Sequence, residues 1–164
     1  MEAEKRNYIF TQLEMISEIT SGKQKEYYQH QLDCAKPIEC VSIREVLSEK
    51  DIDLIKRIIN PQPKECYKNA ASLAMLFPYR IEYVEGYYGV EGVFGTEHAW
   101  NRVGDKYIDI TVELVLEKNI ADEHYVQLMT MGADEVTDIV LEEDCYTWLF
   151  GVKYAKELKS LGKT

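Results

Sequence analysis

The stretch Thr96-Glu97-His98-Ala99-Trp100-Asn101-Arg102-Val103-Gly104-Asp105-Lys106-Tyr107-Ile108-Asp109-Ile110-Thr111-Val112 reads as two alternating strands joined by Gly-Asp. Glycine at the first of two loop positions suits a type II′ hairpin, whose twist matches that of the strands it joins. Pairing Val103 with Lys106 places Ala99, Val103, Ile108, Ile110 and Val112 on one apolar face. His98, Trp100, Arg102, Tyr107, Asp109 and Thr111 fall on the other. The first face reads as core and the second as a site. In this register Trp100 opposes Asp109, and His98 is diagonal to it at roughly 7 Å between Cβ atoms, a separation that a carboxylate can bridge to an imidazole.

Toward the N-terminus, Pro61-Gln62-Pro63-Lys64-Glu65-Cys66-Tyr67-Lys68-Asn69-Ala70 leads into Ala71, Leu73, Ala74, Met75, Leu76 and Phe77, a largely buried helix. The prolines forbid an earlier helical start, so Cys66 falls in or near the first turn. Unpaired N–H groups and the positive end of the helix dipole there favour thiolate over thiol. Asp109 would then hold one nitrogen of His98, leaving the other to take the Cys66 proton and later to protonate a leaving group.

A helix-starting Cys66, then His98-Ala99-Trp100-Asn101, a short turn and Tyr107-Ile108-Asp109-Ile110-Thr111 resemble the transglutaminase-like branch of the papain-like cysteine enzymes. The resemblance covers residues 61 to 113. It implies a papain-like core with Cys66 as nucleophile, His98 as base and acid, and Asp109 as the residue that orients His98. The family often has Asp-Pro-Thr where this chain has Asp109-Ile110-Thr111, so a turn-forming residue is missing. Papain-like enzymes also carry a glutamine shortly before the cysteine, which makes Gln62 a candidate oxyanion donor; Trp100 is a second cleft candidate. The backbone N–H of Cys66 is a further oxyanion donor, because helix-start amides point outward. Nothing in the chain resembles the extra domains or metal loops of the larger calcium-regulated transglutaminases.

The expected function is therefore acyl transfer from an amide through a thioester on Cys66: peptide hydrolysis, glutamine deamidation or transglutaminase-type transfer. The substrate would be a protein, a peptide or a small amide, with no cofactor and no metal. Two alternatives stay open. One is a non-catalytic binding or inhibitor module of the same fold that sequesters a peptide or small molecule. The other is an acetyl-group transferase with a thioester donor, which resembles another branch with the same triad. Cys66, His98, Asp109 and His124 are also legitimate zinc ligands, although no paired-ligand motif is present.

With 164 residues and 46% hydrophobic content, the chain suits a single domain, 1–164. It divides into a helical N-terminal part (1–60), the triad core (61–113) and C-terminal closing elements (114–164). A net charge of −10 opposes a phosphate-binding surface, so nucleic acid is not an expected partner. No apolar run approaches the roughly 18 residues of a spanning helix. Met1-Glu2-Ala3-Glu4-Lys5-Arg6 lacks the apolar stretch of a secretory signal, so no membrane partner and a cytoplasmic location are expected. The four cysteines then read as thiols, with Cys145 ahead of aromatic residues in a core helix.

Periodicity predicts a helix over 3–20 with Tyr8, Ile9, Leu13, Ile16 and Ile19 inward, and two short helices over 43–59 with Ser42 and Ser48 as caps. Residues 23–41 show no pattern and offer Tyr27, Tyr28 and His30 as substrate contacts. A strand from Tyr79 ends at Gly86, and a glycine-punctuated loop, Gly89 to Gly95, follows. That loop is expected to border the cleft, with Tyr87, Tyr88 or Phe94 contacting substrate, while Glu85 and Glu97 are secondary carboxylates. Helices are expected over 113–130, a strand over Val136 to Leu141, and a closing helix over Asp144 to Leu161. The class is α+β, with helices packed on a small antiparallel sheet.

Overall fold

The computed structural model describes residues 7–90 and 95–163; Phe94 and the expected helical residues 3–6 lie outside them. Among the described residues the order is α1 (Tyr8–Ile19), α2 (Gly22–Cys34), β1 (Lys36–Ile38), α3 (Glu49–Leu54), α4 (Cys66–Leu76), β2 (Ile81–Gly89), β3 (Thr96–Val103), β4 (Lys106–Ile108), β5 (His124–Met131), α5 (Ala133–Glu143) and α6 (Leu149–Ser160). The strands form one antiparallel sheet in the order β1-β5-β2-β3-β4, so the fold is α+β as expected. None of these helices is long and apolar enough to cross a membrane.

The β3–β4 hairpin has the expected register, with Asn101 opposite Ile108, Arg102 opposite Tyr107 and Val103 opposite Lys106. Gly104 at the first loop position has φ +63°, a conformation that glycine takes without steric cost. The sheet does not end openly at β4. Just past β1, Cys40 forms a parallel bridge with Tyr107, and the Val41 N–H donates to the Tyr107 carbonyl at 2.8 Å. Residues 36–41 thus join both edges and curl the sheet around Ile38, Val84, Trp100, Tyr107, Val112 and Tyr125. This uses backbone groups that an open edge would leave unpaired.

Against the other face, α4 packs Ala70, Ala71 and Ala74 onto Tyr83, Ala99 and Met131, with α5 adding Val136, Ile139 and Val140. The alanines let helix and sheet approach closely. Asn101 locks the pair, its Nδ2 donating to the carbonyls of Ala70 (2.9 Å) and Glu82 (3.1 Å). β2 runs through Gly86 instead of stopping there, and its register with β5 shifts between Glu85 and Gly86. A Cβ on Gly86 would lie 1.9 Å from the Val126 carbonyl oxygen and 2.8 Å from the Trp100 ring. Glycine is thus required by the close approach of neighbouring backbone, not by a turn.

Several expected elements are different. The unassigned residues 23–41 contain α2 and β1. The helices expected over 113–130 are two short helical turns, Thr111–Val115 and Ile120–Asp122, followed by β5 between β1 and β2. Leu128, Met129 and Gln127 have good helix propensity, but pairing on both sides and burial of Tyr125, Val126 and Met131 override it. The strand expected at Val136 to Leu141 lies within α5, where Ala133, Val136, Ile139 and Val140 are buried at helical spacing. The two short helices expected over 43–59 are present, the first as a single turn, Ile43–Glu45, and the second as α3 running into a wider turn, Ile55–Ile59, with Ser42 and Ser48 capping them as expected. Ile19 is 83% exposed instead of inward, and Cys145 is exposed ahead of α6 instead of within a core helix.

Glu85 ties α6 to the sheet. Its buried carboxylate accepts from the Tyr83 hydroxyl and from the N–H groups of Leu149 (2.8 Å) and Phe150 (2.7 Å), which open a helix without its own side-chain cap. Burial pushes Glu85 up and these three hydrogen bonds pull it back, leaving it at about 7 instead of the ordinary 4.5. The folded protein therefore holds a proton that the unfolded chain has released, so this contribution is complete below pH 4.5 and is lost as pH rises to about 7. The loss is at most about 3 kcal/mol. Glu85→Gln removes the titration, so the difference in urea-unfolding free energy between parent and variant should drift by that order across this window. A constant difference contradicts the assignment.

Candidate functional site

Two backbone turns deliver Cys66. Asn60, left-handed at φ 48°, ends the helical turn before Pro61, and Lys64, also left-handed at φ 64°, redirects the chain into Cys66, the first residue of α4. Asn69, one helical turn further, is buried and holds this loop. Its Oδ1 accepts from the Gln62 N–H at 3.1 Å, while Nδ2 donates to the Gln62 carbonyl and to Thr111 Oγ1, both at 2.9 Å. The loop before Cys66 is thereby joined to the turn after Asp109. Glu65 supplies no side-chain cap, so the α4 N-terminus beside the thiol keeps its donor character.

Asp109 directly follows β4, and the expected strand over 109–112 gives way to a turn. Asp109 Oδ1 accepts from the N–H groups of Thr111 and Val112, each at 3.1 Å, which caps the turn Thr111–Val115. The two apolar sides then separate. Ile108 and Ile110 pack with Leu73 and Ile81, whereas Val112 enters the curled sheet with Trp100, a correction to the single face expected for all three. Ile110 in place of proline does not prevent the turn, because the carboxylate organises it.

His98 is buried, and its Nε2–H donates to Asp109 Oδ2 at 2.7 Å. Tyr88 lies across its ring at 4.4 Å between centroids, and Trp100 is stacked behind it at 6.0 Å and 21°. The Cys66 thiol is near enough to act electrostatically on the same ring. Burial favours the neutral imidazole, but the charge and hydrogen bond of Asp109, and then Cys66, outweigh it and push His98 up to about 10. The protonated ring carries two N–H groups, and with Nε2 on Asp109 the Nδ1–H remains as a second donor. An imidazolium in this position can hold a thiolate as an ion pair and can return a proton to a leaving amine.

The structure thus brings Cys66, His98 and Asp109 together from α4, β3 and the end of β4. Gln62 is exposed, with its side-chain amide donating to the Asn60 carbonyl at 3.0 Å. Trp100 is buried within the sheet, where it supports His98. Tyr27 and His30 pack against Phe150 and Tyr154 of α6. Glu85 faces α6, and Glu97 is exposed. A cavity of about 730 Å³ is lined by Cys40, Glu123 and His124 but not by Cys66. Among the described residues no group of three or more His, Cys, Asp or Glu is arranged to hold a metal ion. Sequence reasoning missed Asn69 as the clamp on the cysteine loop and Tyr125, whose hydroxyl donates to Asp109 Oδ2 at 2.8 Å.

No protein-family model, curated protein or solved structure matches the chain.

Replacing Asn69 with alanine strips the Gln62 backbone and Thr111 Oγ1 of their shared partner. Asn69→Ala should lower the unfolding free energy by about 2 kcal/mol, the cost of leaving such groups unmatched. It should also speed limited proteolysis between Asn60 and Cys66. Parental stability and cleavage rates would show that the clamp does not hold the loop.

Proposed function

We propose that the protein is a cysteine-dependent acyl-transfer enzyme that acts on an amide of a protein, a peptide or a small molecule. The supporting observation is the buried His98–Asp109 hydrogen bond, with Cys66 acting on the same ring from the start of α4. The Cys66 thiolate attacks the amide carbon, and the oxygen that gains charge turns to the Cys66 backbone N–H. The C–N bond breaks as the amine takes the proton from His98, which leaves a thioester on Cys66 and a neutral imidazole. Water or a second amine then gives a proton to His98 as it attacks the thioester, and the C–S bond breaks to restore the thiolate. Hydrolysis, glutamine deamidation and amine transfer share this intermediate and differ in the acceptor.

Iodoacetamide labelling followed by peptide mass mapping tests the activation of Cys66, with exposed Cys145 as the reference thiol in the same molecule. In mildly acidic solution Cys66 should label at least about tenfold faster than Cys145, as activated thiols do. His98→Ala should abolish that advantage and Asp109→Asn should reduce it. If Cys66 follows Cys145 at every pH in all three proteins, the enzyme reading fails and a binding module of the same architecture takes its place.

A further inference from the structure

A carboxylate offers about four lone-pair directions, and Asp109 has a donor for each. Thr111 and Val112 supply backbone N–H groups to Oδ1, and His98 Nε2 and the Tyr125 hydroxyl share Oδ2. The fourth donor is the unusual one, since it competes with His98 for the same oxygen. Tyr125 comes from β5, is fully buried, and packs its ring on Trp100 at 5.0 Å.

We propose that Tyr125 is a positioning residue for the acyl-transfer site: by sharing Oδ2 with His98, its hydroxyl tempers the pull of Asp109 on the imidazolium. This rests on the catalytic reading of Cys66, His98 and Asp109. If Asp109 kept its full charge for His98, the ring would hold its proton too firmly to deliver it to a leaving amine. The hydroxyl stabilises the carboxylate without neutralising it, because a hydrogen bond spreads charge and transfers no proton. Burial first, then the Asp109 charge, pushes the Tyr125 hydroxyl far above its ordinary range, so it remains a donor at any working pH.

The groups that act on this pair come from each neighbouring element. They are Cys66 at the start of α4, Tyr88 of β2, and Glu123 just before β5. Cys40, past β1, interacts with Tyr125, and Glu113 with Cys40. Cys66 also acts on the His98 ring, so the test is made in the Cys66→Ala protein, where the thiol is removed.

His98 is titrated by NMR in selectively labelled full-length protein, with His30 and His124 as internal references. Adding Tyr125→Phe should raise the His98 midpoint by about one pH unit, the size of a hydrogen bond to a charged group. If Tyr125 only packs, or only keeps Asp109 in place, the midpoint stays or falls toward that of an ordinary histidine, and either result overturns the proposal. Should Tyr125→Phe fail to fold, the Tyr125 hydroxyl proton of the Cys66→Ala protein is followed instead. Its resonance should move with the His98 midpoint, and a resonance indifferent to it overturns the proposal. Neither readout uses Cys66 reactivity, so a failed alkylation test and a failed Tyr125 test are separate results.

Discussion

The Asp109 carboxylate is the constraint on which the rest of the site depends. It is a buried group that ends β4, caps the next turn, receives Tyr125 from β5 and holds His98 on β3. Burying a charge is costly unless its lone pairs are satisfied, and here each oxygen has two donors. The same four bonds make the group structural and chemical at once. Without Asp109, two backbone N–H groups, a hydroxyl and an imidazole N–H would be left in the interior without their acceptor.

Around that node the structure uses polar side chains to fix distances that apolar packing alone would leave loose. Asn69 joins the cysteine loop to Thr111, and Asn101 joins α4 to β3. Glu113, in the turn that Asp109 caps, accepts from Ser42 Oγ at 2.6 Å and from the Ile43 N–H, anchoring the segment that follows the sheet-closing residues. Each bond contributes only about 1 kcal/mol in net terms. Together they set the position of the α4 N-terminus relative to His98, and acyl transfer depends on that position.

The site was more legible in the sequence than the frame around it. The hairpin register followed from Gly104 and strand alternation, and the diagonal from His98 to Asp109 followed from the register. Pro61 and Pro63 located the start of α4. The turn after Asp109 was also readable, since an Asp whose side chain can cap the N–H groups two and three positions on, ahead of Thr111-Val112-Glu113, is a helix-start pattern. Strand alternation through Val112 concealed it. β5 was hidden because helix-favouring Leu128 and Met129 are held as strand by β1 and β2, partners far away in the sequence. The apolar positions of α5 overlap a short strand pattern, and only its packing against α4 distinguishes the two. Asn69 and Tyr125 carry no local signal, because each acquires its role from a residue on another element.

The most direct test of the account is the intact mass of the protein after mixing with an activated ester of a small carboxylic acid, followed by mapping of any adduct. One acyl group should appear on Cys66, decay on addition of hydroxylamine, and form far more slowly in the His98→Ala protein. An unmodified Cys66, or acylation confined to exposed Cys145, would contradict a thioester mechanism at this site.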